Sequence, residues 1–63
     1  MWMPKEKTVY YSREHRMYLR WDPREERRNW WIFRNLHTGR VVPIAKEYAE
    51  QDLEEIEVAE AAV

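Results

Sequence analysis

The apolar residues of this chain come in short runs broken by turn formers, and that pattern limits the fold more than any other feature. The clearest run is Trp30-Trp31-Ile32-Phe33, followed by Asn35-Leu36-His37-Thr38-Gly39-Arg40 and then Val41-Val42-Pro43-Ile44. Aromatic and β-branched residues suit a pleated, half-buried surface. Asn opens turns, and Gly39, the single glycine, can take a positive φ. The spacing predicts a β-hairpin with a four- to five-residue loop. Pro43 has no N–H to give a ladder, so the returning strand lies at an edge or ends there.

Upstream, Thr8-Val9-Tyr10-Tyr11 reads as a short strand and Ser12-Arg13-Glu14-His15 as its turn. Arg16 to Trp21 alternates, with Met17, Leu19 and Trp21 on one side and Arg16, Tyr18 and Arg20 on the other. Asp22-Pro23 ends this strand, and the charged residues 24–28 form a loop or one helical turn.

From Ala45 the period changes. Ala45, Ala49, Leu53, Ile56 and Val63 fall near one helical face, and Glu47, Glu50, Glu54, Glu57 and Glu60 cover much of the rest. An acidic amphipathic helix over 45–63 is expected. No Ser, Thr, Asp or Asn caps its start, and acids near its end oppose the macrodipole. Glu55-Ile56-Glu57-Val58 also alternates with period two, so a helix to about residue 55 followed by a short strand is the alternative.

The predicted fold is α+β: one domain over 1–63, with a basic, aromatic three- to four-stranded antiparallel β-meander (1–44) and a C-terminal helix (45–63). Met17, Leu19, Trp21, one side of the Trp30–Phe33 strand, Val42, Ile44, Leu53 and Ile56 would form the core. A chain of 63 residues buries only about 60% of its unfolded surface. Without Cys, no disulfide helps; four Trp, four Tyr and one Phe compensate, each able to bury roughly 150–250 Å². A partner chain, including a second copy, is the other way to complete such a core.

Charge is sorted along the chain. Residues 1–46 hold all 11 Lys and Arg and five acids, a balance of +6; residues 47–63 hold seven acids and no base. A basic, aromatic body followed by an acidic segment suits a charged partner, or a chain that covers its own basic surface.

Two surfaces are candidates for binding. Arg16, Tyr18 and Arg20 share one side of their strand, and Trp30, Ile32 and Arg34 share one side of theirs. If the sides coincide, guanidinium groups interleave with aromatic rings, a surface able to stack bases and pair with phosphates, or to pack on itself through cation–π contacts. Arg27 and Arg28 flank that face. The second candidate is the acidic face carrying Glu50, Glu54 and Glu57, which would meet a basic partner or cover the sheet.

Catalysis and metal binding are not expected. His15 and His37 lie in separate turns with no third ligand in register. Ser12 and Thr38 occupy turn positions without a base beside them, and one glycine cannot build a phosphate loop. No apolar stretch approaches the ~20 residues of a membrane span, nor the core of a signal peptide. No cofactor, membrane contact or small-molecule substrate is expected, and the setting is expected to be cytoplasmic.

Trp21, Asn35 and Thr38 are similar in spacing to the WW domain, a three-stranded module that binds proline-rich peptides; the likeness spans residues 21–43. The position of that family's second Trp holds Pro43, and that of its loop His holds Leu36. The resemblance therefore supports a hairpin and not peptide binding. The functional expectation is a small non-enzymatic protein that binds a larger protein partner, as a regulator or assembly subunit, with nucleic-acid binding by the Arg/aromatic face as the alternative.

Overall fold

The structure, a computed structural model, describes residues 1–56. It is α+β, a five-stranded antiparallel sheet with one short helix. The strands are β1 (Val9–Ser12), β2 (Met17–Trp21), β3 (Trp30–Asn35), β4 (Val41–Ala45) and β5 (Leu53–Ile56), and α1 (Lys46–Asp52) lies between β4 and β5. Sheet order is β4-β3-β2-β1-β5. The first four strands form the expected meander; the fifth returns to the far side of β1.

The hairpin turns follow from local chemistry. At the β3–β4 turn, the Asn35 side-chain oxygen accepts the His37 and Thr38 N–H groups at 2.7 and 3.2 Å, the Asn35 carbonyl accepts the Gly39 N–H at 2.8 Å, and Gly39 takes φ +78°. A side chain at that φ would be strained, so the lone glycine is where the loop needs it. At the β1–β2 turn the last position is Arg16, with φ +56°. Arg16 thus belongs to the turn and not to the strand, a correction to its expected place in the alternation.

Asn35 N–H donates to Arg40 O at 2.9 Å, which starts the β3–β4 ladder. Antiparallel pairs alternate between bonded and non-bonded. Counting along the register from there to Ile32↔Pro43, the proline falls at a non-bonded pair. Its missing N–H faces away from β3, as an edge strand requires.

The C-terminal element departs most from expectation. The helix is not a terminal amphipathic one over 45–63; it spans seven residues, is preceded by Ala45 with no side-chain cap, and gives way to extended backbone at Leu53. One of its orphan N–H groups, Lys46, finds the Asn29 carbonyl at 3.0 Å. Leu53–Ile56 pairs with β1 through Val9↔Ile56 and Ser12↔Leu53. Glu54 is therefore on a strand, not on the helix. Glu57, Glu60, Val63 and the far end of the expected helix or strand lie outside the described residues.

One side of the sheet carries Tyr10, Leu19, Phe33, Ile44 and Leu53, which with Ala49 of α1 make the buried cluster; Trp2, Met17, Trp21, Trp31 and Val42 pack against it. Trp2 meets Tyr10 edge to face at 6.0 Å, and Tyr10 meets Phe33 at 5.8 Å. Tyr10 was not among the expected core residues. Ile56 was, but its register with Val9 puts it on the opposite side.

Register and helix length together force the sheet to curl. In a flat sheet the end of β4 and the start of β5 would stand about 30 Å apart, at opposite corners. A seven-residue helix spans only about 10 Å, yet α1 joins them directly. The sheet must wrap around its core side. Accordingly Glu14 and His15 of the β1–β2 turn line one hollow with Trp30 and Tyr48, from the other corner.

Among the described residues no helix is long and apolar enough to cross a membrane, and no three His, Cys, Asp or Glu side chains converge as metal ligands.

Candidate functional site

The outer, convex face of the sheet is built by alternation. Arg20 stands opposite Arg34, with Val9 and Val41 flanking them; Tyr18 stands opposite Tyr11 one row away. The two sides named from sequence therefore do coincide. Tyr18, Arg20, Trp30, Ile32 and Arg34 share this face. Tyr18 is 53% exposed and Trp30 45%. Tyr11 and Tyr18 lie ring against ring at 4.9 Å.

The electrostatics of the face differ from the sequence expectation. Arg34 is half-buried and engaged: its Nε donates to Asp22 Oδ2 at 3.0 Å, one terminal nitrogen to Gly39 O at 3.0 Å, and the other to Glu25 at 3.4 Å. Arg24 also holds Asp22, through Nε at 3.0 Å, a terminal nitrogen at 3.2 Å and its backbone N–H at 3.1 Å. These bonds, from Arg24 first and Arg34 next, hold the Asp22 carboxyl well below the usual carboxylate range, against the opposing effect of burial. Asp22 is 5% exposed and Ile32 only 1%, although Ile32 faces away from the main core. The 22–29 segment is folded back over this face and held there by the Asp22–Arg34–Glu25 bridge.

The remaining candidates are dispersed. Arg20, Arg27 and Arg28 are exposed and make no ion pair among the described residues. The Arg27 carbonyl accepts the Trp30 N–H at 3.4 Å, tying the loop to β3. Arg16 is exposed in its turn. Glu50 is exposed on α1. Glu54 sits beside Tyr11 in register, 3.8 Å from Arg13. Glu57 lies outside the described residues.

The acidic and basic blocks are stitched together. Glu55 meets Lys5 at 3.2 Å, and Glu54 meets Arg13. Asp52 does more: its carboxylate accepts the Ser12 hydroxyl at 2.6 Å and the Glu14 N–H at 2.8 Å, and its carbonyl accepts the Arg13 N–H at 3.3 Å. The end of α1 thereby fixes the β1–β2 turn. Sequence reasoning gave Asp22 only the end of its strand and gave Asp52 no role. Asp22 stands two residues before Arg24, close enough for a local ion pair, which is the one signal the sequence carried; Asp52 carried none, because its partners are about forty residues away.

The chain matches no family model, no curated protein and no solved structure.

Proposed function

We propose that this chain is a small, non-enzymatic protein-binding module that engages a larger protein through the convex face of its sheet. The observation that carries the reading is the state of Arg34. Asp22 and Glu25 balance the guanidinium groups of Arg24 and Arg34, so the centre of the face is mixed aromatic and aliphatic, with Arg20, Arg27 and Arg28 as its unpaired cations among the described residues. Exposed Tyr18 and Trp30, with Arg20 between them, are the residue types that anchor protein interfaces. A regulator or assembly subunit in the cytoplasm is part of the same proposal. The test is capture from native lysate with wild type and a Tyr18→Ala/Arg20→Ala variant, alongside solution mass. The expected result is a stoichiometric protein that the variant loses. A monomer that captures no protein would count decisively against it.

Nucleic-acid binding is the second reading, favoured by the Arg20↔Arg34 register with Tyr18 and Trp30 on the same side. It predicts salt-dependent oligonucleotide binding that tightens when the acids of 47–63 are changed to Gln. A flat response at low salt for both forms would end it.

A further inference from the structure

Where the convex face meets α1, the curl of the sheet creates a hollow of about 480 Å³. Trp30, Pro43, Ala45 and Tyr48 make its apolar part, and Glu14 and Asp52 its charged part. Trp30 and Tyr48 remain 45% and 59% exposed, and Glu14 and Asp52 line the same hollow. Among the described residues no Lys or Arg lines the hollow; His15 and the Tyr48 phenol are its other titratable groups. A second hollow shares Trp30, Ala45 and Tyr48 and adds Glu47 and Lys46, but the Lys46 ammonium is turned over the Trp31 ring, 4.3 Å from its centre.

We propose that this hollow takes an arginine side chain from the partner, so that the module recognises a basic, arginine-bearing segment. The inference rests on the protein-binding reading and adds the partner's chemistry. A guanidinium plane stacks on indole and phenol faces while its in-plane N–H groups reach carboxylates. Glu14 makes no ion pair among the described residues, so its carboxylate is available. Asp52 is held in place by Ser12 and the Glu14 N–H, one bond to each oxygen. A carboxylate accepts about four, which leaves capacity for a ligand. A proline-rich segment would use the rings and leave the carboxylates idle. An acidic segment would be repelled.

The experiment is an NMR titration of the whole chain with a short uncharged-background peptide carrying two arginines. The controls are the same peptide with citrulline, a neutral isostere, and an arginine-free proline-rich peptide. Saturable shifts are expected at the Trp30 indole N–H and at Glu14 and Tyr48. Tyr48→Ala and Glu14→Gln, both at exposed positions, should each weaken binding about fivefold with the spectrum still dispersed. Equal binding of either control peptide overturns the inference. So do shifts spread evenly over remote acids such as Glu6 and Glu55, or self-association that buries Trp30 and Tyr48. If a protein is captured through Tyr18 while the arginine peptide does nothing, this inference fails and the broader reading stands.

Discussion

The two faces of the sheet are held by different means. The inner face is covered by α1 and Trp2 and relies on close packing of Tyr10, Leu19, Phe33, Ile44, Ala49 and Leu53. Among the described residues no helix or further strand covers the outer face. Among the described residues its one deeply buried apolar side chain is Ile32, and order there comes from charge: Asp22 receives two guanidinium groups and pins the 22–29 segment across the strand. A chain this short has enough apolar surface to close one face. On the other, Tyr18 and Trp30 stay about half exposed.

The largest expected effect breaks the inner face. Phe33→Ala removes a fully buried ring and should cost about 3–5 kcal/mol, enough to unfold much of a domain of marginal stability. Urea denaturation followed by near-UV circular dichroism reads it directly, and a loss under 1 kcal/mol would mean the packing described is wrong. Next comes the seam between the blocks. Ser12 is fully buried and donates to Asp52, so Ser12→Ala should cost about 1–3 kcal/mol and loosen the β1–β2 turn, seen as faster amide exchange at Glu14 and His15.

The outer face should answer to pH instead. Because the folded-state carboxyl of Asp22 titrates below its unfolded value, its contribution is complete above the ordinary aspartate range near ~3.9 and is lost as pH falls toward the lowered native value. Asp22→Asn should lower stability at neutral pH and flatten the acid limb of the stability curve. An unchanged acid limb would show that the clamp does not govern this face. The smallest effect on stability belongs to Tyr18→Ala. With the ring more than half exposed, melting should shift within the range of about 0.5 kcal/mol typical of surface changes, while partner capture is lost. A large drop in melting temperature would make Tyr18 a structural residue and remove it from the binding face.

The parts of this fold that depend on near neighbours could be read directly from residues. Asn35 and Gly39 announce their hairpin, Met17, Leu19 and Trp21 announce their inward side, and Pro43 announces an edge. The helix end could not be read with the same certainty. Ala45, Ala49, Leu53 and Ile56 satisfy a helical period, and Glu55 and Ile56 also begin a strand alternation; what decides is pairing with β1, which adds backbone bonds that no local pattern records. The outer face was legible in its membership and not in its charge. Arg34 reads as a free cation until Asp22 and Glu25, several residues back, are folded over it.

The return of β5 to β1 also sets the order in which the molecule can assemble. The β1–β2 and β3–β4 hairpins close over loops of a few residues, whereas Ser12 and Asp52 must meet across 40. Closing a loop ten times longer costs about 2 kcal/mol more in chain entropy. The meander can therefore form before the last strand docks, and interactions made by β5 belong to the late side of the folding barrier. Their strength sets how fast the native molecule opens more than how fast it forms.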